Sequence, residues 1–149
     1  GPAGVIHVDY TEPYCPEIRD VALKAAAELG YTAHDYGVYV CTEGPRFETP
    51  AEIQMFAKLG GDLVGMTNVP EVVLAREAGI CYATVSLVTN YAAGIAVGTL
   101  THEEVVALMA ENSERLKKLL MRVLVNLPSE RKCRCQQAIP NVNRFFEGD

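Results

Sequence analysis

An α/β fold, with helices on the faces of a parallel or mixed sheet, is predicted by three observations. Strand-like and helical periodicities alternate along the chain. Glycine and proline punctuate the boundaries between these segments. The 149 residues are 49% hydrophobic and 21% charged, which is enough apolar material for the core of one ordinary domain.

The elements follow in order. Residues 16–29 read as a helix, because Ile18, Val21, Ala22, Ala25, Ala26 and Leu29 share one face. Pro16 suits its first turn and Gly30 its C-terminal cap. Residues 38–42 (Val-Tyr-Val-Cys-Thr) form a short β-rich run. Thr49-Pro50-Ala51-Glu52 has capping-box spacing, with proline at the first helical position. A helix is therefore expected from there to about Leu59, before Gly60-Gly61. Residues 63–66 make a brief buried strand, and Pro70 opens another helix that ends before Gly79. Residues 80–88 are predicted to be a strongly apolar strand. Thr101-His102-Glu103-Glu104 repeats the capping-box pattern and opens a helix running to about Asn126, where Pro128 ends the periodicity. Residues 129–149 are polar and weakly patterned.

Composition narrows the function classes. Thirteen basic against 19 acidic residues give a formal charge of -6, and no basic run stands out, so no nucleic-acid partner is expected. The longest apolar run, 92–97, is broken by Gly94 and falls far short of the roughly 20 residues of a membrane span. Gly1-Pro2-Ala3-Gly4 lacks the charged and apolar regions of a secretory leader, so a cytoplasmic protein is expected. There is no initiator Met, so the sequence is expected to begin at a processing site, a cloning scar or a cut. Of the five cysteines, Cys15, Cys41 and Cys81 read as small buried hydrophobes. Cys133 and Cys135 form a lone C-x-C. A zinc site needs about four ligands, usually as two such pairs, and no second pair is visible. No metal is expected there; a local disulfide or free thiols are.

In parallel α/β sheets ligands collect beyond the carboxyl ends of the strands. Three loops begin there: 43–48, 67–69 and 89–100. In the first, Phe47 can stack on a planar ring and Glu48 can accept from a ring N–H. The same residues also make an ordinary turn, since Gly44-Pro45 bends the chain and a glutamate near a helix start suits the dipole. In the second, Thr67 offers a hydroxyl to an anion and Met66 a soft apolar surface to a sugar or base; core packing and a turn are the alternatives. In the third, Asn90 follows a predicted buried strand. Its amide can donate and accept together, as pairing with a carbonyl and a ring nitrogen requires, or it can merely close the strand end.

These loops, in this order, resemble the trimeric purine nucleoside phosphorylase and methylthioadenosine phosphorylase family. The residues carrying the resemblance are Glu43-Gly-Pro-Arg-Phe-Glu-Thr-Pro-Ala-Glu52, Gly65-Met-Thr-Asn-Val-Pro-Glu-Val-Val-Leu-Ala-Arg-Glu-Ala-Gly79 and Val88-Thr-Asn-Tyr-Ala-Ala-Gly94. The segment 7–19, with Glu12-Pro13-Tyr14-Cys15-Pro16, is similar to the methylthioadenosine branch. The likeness covers most of residues 5–128.

The resemblance implies a C-terminal half of a nucleoside-phosphorylase-type sheet flanked by helices over 1–128, followed by a tail with C-x-C over 129–149. It implies phosphorolysis of the N-glycosidic bond of 6-oxopurine nucleosides (inosine, guanosine), giving free purine and ribose 1-phosphate. The co-substrate is inorganic phosphate and no cofactor is implied. Asn90 matches the residue facing purine N7 and O6, with Thr89 beside it at the substrate. Glu48 matches the carboxylate that holds N1–H. Phe47 matches the aromatic beside base and ribose, Met66 the methionine under the ribose, and Thr67 a hydroxyl that contacts phosphate. Tyr39 falls near the ribose hydroxyls. His102 falls near the 5′-hydroxyl, and a solvated histidine at a helix start is its ordinary alternative. His7 matches a histidine reaching a neighbouring subunit's site.

The adenine-using branch carries aspartate at the position of Asn90 and a small hydroxyl residue at that of Glu48, so the pair here implies 6-oxopurines. Methylthioinosine or methylthioadenosine phosphorolysis, and a non-catalytic purine-binding fragment, are the alternatives. The family's main phosphate loop, its Arg-His pair and a strand-end loop below the ribose lie in an N-terminal half not visible in this sequence. The expectation is therefore a chain that needs that half as partner, has little activity alone, exposes a sheet edge, and assembles as a homotrimer or hexamer. Hyperthermophilic members link their C-x-C as a disulfide. By resemblance Cys133–Cys135, and Cys15–Cys81 as a second bridge, are implied, together with a hot-living source.

Overall fold

In a computed structural model the chain is described over residues 7–95 and 102–138, with the backbone alone at 102, 104, 105 and 111. Helix α1 (Pro16–Glu28) comes first, then strand β1 (Tyr39–Cys41), helix α2 (Pro50–Lys58), strand β2 (Leu63–Gly65), helix α3 (Glu71–Glu77) and helix α4 (His102–Asn126). A 3₁₀ turn over Cys135–Gln137 follows. Each helix falls where periodicity and end signals put it.

Strands β1 and β2 pair in parallel, with Tyr39 opposite Leu63, Val40 opposite Val64 and Cys41 opposite Gly65. Two parallel strands cannot be joined by a hairpin, so α2 supplies the crossover. The Asp62 carboxylate accepts from Val38 N–H (2.8 Å) and Thr42 N–H donates to Gly65 C=O (2.8 Å), closing the ladder at its two ends.

The capping box of α2 is complete. Thr49 accepts from Glu52 N–H, and the Glu52 carboxylate accepts from Thr49 N–H at 2.7 Å. Arg46 grips the same carboxylate through both terminal nitrogens, at 2.9 and 2.7 Å. The Arg46 hydrogen bond, followed by those from Thr49, holds the Glu52 carboxyl down at about 2, below its ordinary 4.5. A carboxyl lowered in the folded state stabilises it above pH 4.5, and that contribution is lost as pH falls toward 2. Glu52→Gln is therefore expected to be less stable than the parent at neutral pH, with the difference shrinking toward pH 2. Urea unfolding across that range measures it, and a pH-independent difference would contradict the assignment. Separately, Thr49→Ala is expected to cost about 1 kcal/mol through the lost N-cap, read as a lower urea midpoint at unchanged slope.

Helix α4 packs along α1. Val123 is buried, as are Ala25 and Ala26 of α1. The Arg115 guanidinium lies over the Tyr31 ring at 4.7 Å from its centroid. Residues 128–138 are not the loose polar stretch their composition suggests. Cys135 and Ala138 are buried, Ala138 C=O accepts from Asp9 N–H (3.1 Å), and Arg131 donates to Gly79 C=O (3.2 Å).

Residues 80–88 depart from expectation. They form no strand with any described residue, and Ile80 (56% exposed) and Val88 (63%) face outward. A strand exists only beside a partner, and among the described residues none pairs with this segment. Its backbone is tied to helices instead: Cys15 N–H donates to Tyr82 C=O (2.7 Å) and Ile80 N–H to Ala75 C=O (2.8 Å). Among the described residues no helix is long and apolar enough to cross a membrane.

Candidate active site

The carboxyl ends of β1 and β2 gather three of the predicted residues, Tyr39, Glu48 and Met66. Thr42, the residue after β1, donates its hydroxyl to Glu48 Oε1 at 2.7 Å, and its backbone is held by Gly65 at the end of β2. The strand ladder thereby fixes the Glu48 carboxylate, and one of its two oxygens is aimed by the protein itself. Glu48 is half-buried and Phe47 beside it is largely exposed.

Two glycines permit the close packing behind these groups. A Cβ on Gly65 would collide with the Tyr39 hydroxyl, so the phenol lies directly on that glycine. Gly44 has φ +70°, which glycine adopts without strain, and a Cβ there would sit 2.6 Å from Met66 Sδ. Tyr39, Met66, Thr42 and Glu48 are thus brought together at one edge of the two-stranded sheet.

Beside them opens a depression of about 240 Å³, lined by Thr42, Glu43, Gly44, Arg46, Glu48 and Glu52. Three carboxylates face one guanidinium, and that guanidinium is already paired with Glu52. The surface therefore favours a ligand that presents N–H groups and disfavours a bare anion.

Other predicted residues sit apart from this cluster. The loop after Asn90 does return to it, since a Cβ on Gly94 would lie 2.6 Å from Pro50 Cβ at the start of α2. The Asn90 amide itself is exposed and turned onto its own loop. Nδ2 donates to Tyr91 C=O (2.9 Å), and Oδ1 accepts from Thr89 Oγ1 (2.6 Å). Asn90 is not at the end of a paired, buried strand as its sequence context suggests, because among the described residues 80–88 has no ladder partner. Thr67 is exposed beside Met66, and His7 is exposed near the anchored Asp9. Among the described residues, no hydrogen bond joins His7, Thr67 or Asn90 to Glu48 or Tyr39. The His102 side chain lies outside the described residues.

A buried polar group that sequence reasoning passed over lies just behind Met66-Thr67. Asn68 is 5% exposed, donates to Tyr14 Oη at 2.8 Å and accepts from Thr84 Oγ1 at 3.4 Å. The Tyr14 ring stacks on Tyr82 at 6.3 Å between centroids. The Tyr82 hydroxyl donates to Glu71 at 2.8 Å; burial first, and then that carboxylate, push its pKa up to about 12. This network ties the 67–70 loop to the N-terminal segment and to 80–88. Nothing local in the sequence marks Asn68 as more than a turn residue before a proline.

Residues 1–125 match the phosphorylase superfamily. The chain is 57% identical over 135 residues to the 6-oxopurine nucleoside phosphorylase of Pyrococcus furiosus, covering 91% of this chain and 51% of that protein. It is 58% identical to a Methanopyrus kandleri protein named "Probable S-methyl-5'-thioinosine phosphorylase", covering 91% and 53%. Among solved structures, a methylthioadenosine phosphorylase from an antarctic soil metagenomic library superposes with a TM-score of 0.81 at 31% identity, over 91% of this chain and 49% of that one. The chain spans about half the length of the curated relatives it matches.

Proposed function

The chain belongs to the phosphorylase superfamily, and from that premise we propose that it carries the purine-recognition side of a 6-oxopurine nucleoside phosphorylase. The observation that carries this reading is the Glu48 carboxylate, held by Thr42 beside Tyr39 and Met66 at the strand ends.

The chemistry accounts for the residue types. Phosphorolysis breaks the bond between ribose C1′ and purine N9 as phosphate oxygen attacks C1′, and negative charge builds on the leaving purine. Glu48 accepts from N1–H, which hypoxanthine and guanine possess. Adenine instead presents a lone pair at N1, which a carboxylate repels. Asn90 turns from its own loop to the purine, with Nδ2 donating to O6 and Oδ1 accepting from N7–H as that proton is acquired. Its present partners are two exposed, adjacent groups, each worth about 1 kcal/mol net, so the turn is inexpensive. Stabilisation that grows with charge on the leaving group lowers the barrier rather than merely tightening binding. Phe47 and Met66 cover base and ribose.

Phosphate is proposed to be held chiefly by groups outside the depression described, from the N-terminal half of the enzyme, because Glu43, Glu48 and Glu52 make this surface acidic. Thr67 contributes one hydroxyl to it.

The relative named for methylthioinosine favours a second reading, in which the same base is recognised and the 5′ group is methylthio. Comparing phosphorolysis of inosine with that of 5′-methylthioinosine decides between the two. Our reading expects the larger kcat/KM with inosine, and a larger value with the methylthio analogue would select the second. Hydrolysis without phosphate dependence would contradict both.

A further inference from the structure

Granted the phosphorolysis proposed above, we infer that Asn68 is a positioning residue for it: the buried Asn68 amide fixes the far end of the two-residue span Met66-Thr67 that faces ribose and phosphate. The near end of that span is Gly65, the last residue of β2, whose carbonyl accepts from Thr42 N–H at 2.8 Å. The far end is Asn68 itself. Its Nδ2 donates to Tyr14 Oη (2.8 Å) and its Oδ1 accepts from Thr84 Oγ1 (3.4 Å). Its backbone C=O accepts from Val72 N–H of α3 (2.9 Å). Between these two fixed points Met66 Sδ packs against Gly44, and Thr67 is left exposed.

A buried amide is costly unless its polar atoms are paired, and a satisfied one admits a single orientation where an apolar side chain would admit several. Both side-chain polar atoms of Asn68 have partners, and those partners are themselves held. The Tyr14 ring stacks on Tyr82, whose hydroxyl donates to Glu71 at the start of α3. Asn68, Tyr14, Tyr82 and Glu71 thus form a closed ring of contacts that returns to the loop it braces. Burial pushes the Tyr14 phenol above its ordinary pKa, so it meets the amide as a neutral oxygen across the neutral range. No contact of this ring holds Glu48, which is fixed separately by Thr42 Oγ1. The base is therefore anchored through Thr42, and the ribose and phosphate side through Asn68.

The test is steady-state phosphorolysis of inosine at varied phosphate, with calorimetric titration of hypoxanthine alongside. Parent, Asn68→Ala and Tyr14→Phe are compared, each together with the N-terminal half of the enzyme. In Asn68→Ala the KM for phosphate is expected to rise about tenfold, the low end of what a hydrogen bond to a charged group contributes. The Thr67 contact is made to phosphate before and during the reaction, so kcat at saturating phosphate is expected to hold. Hypoxanthine affinity is expected to hold as well, because Glu48 keeps its own anchor. Tyr14→Phe deletes one oxygen outside the span and leaves the Asn68 nitrogen unpaired. It is expected to raise the KM for phosphate in the same direction, and it reads the role even where Asn68→Ala does not fold. The double variant is expected to add little to Asn68→Ala, since both changes break one contact. An unchanged KM for phosphate in Tyr14→Phe, or a parallel fall of kcat and hypoxanthine affinity, would overturn the positioning role and leave the phosphorylase reading intact. A parent that does not cleave inosine in a phosphate-dependent way would overturn that reading, and the role with it.

Discussion

Replacing Asn90 with aspartate is expected to lower phosphorolysis of inosine by roughly 100- to 1,000-fold, the range seen when one preorganised donor to a developing negative charge is lost. The change substitutes a carboxylate oxygen for the only group at that position able to donate to O6, so repulsion replaces attraction as charge builds on the leaving base. The same carboxylate can accept from the 6-amino group of adenosine. The ratio of kcat/KM for adenosine over inosine is therefore expected to rise. Because the effect lies in the transition state, kcat falls along with kcat/KM. Steady-state assays of both nucleosides with parent and variant, each together with the N-terminal half of the enzyme, measure this, and unchanged kinetics on both would remove Asn90 from the site.

Glu48→Ala is expected to weaken use of inosine by about 1.5–3 kcal/mol, or roughly 10- to 150-fold, the contribution of a hydrogen bond to a charged group. Adenosine has no N1–H to lose, so its kinetics should hold or improve. Thr42→Val, which keeps the shape but removes the hydroxyl that aims Glu48 Oε1, should reproduce part of the loss on inosine. An equal loss on both nucleosides would show that Glu48 supports the fold of the loop rather than reading the base.

Much of the architecture was legible because local signals and tertiary packing agree here. The Thr49–Glu52 capping box and Pro16 at the first turn of α1 each specify their helix without distant help, and the β-rich residues around Tyr39 find their partner in β2. Segment 80–88 shows the limit. Its apolar composition says strand, but a strand is a relation between two segments, and none of the described residues supplies the second. The misjudged surroundings of Asn90 follow from that, since its predicted place at a buried strand end depended on the same ladder. Glu48, Tyr39 and Met66 were legible because the parallel pairing carries them to one edge. Asn68 was not, nor was the meeting of Cys15 and Cys81 with the C-x-C in one cluster. Each joins residues far apart in the chain, and no local pattern announces those partners.

Whether Glu48 and Asn90 read a 6-oxopurine is decided by calorimetric titration of hypoxanthine and of adenine. Hypoxanthine is predicted to bind at least about tenfold more tightly, a difference of about 1.4 kcal/mol, and Glu48→Ala is predicted to erase most of that preference. Adenine binding as tightly as hypoxanthine, or more tightly, would contradict it.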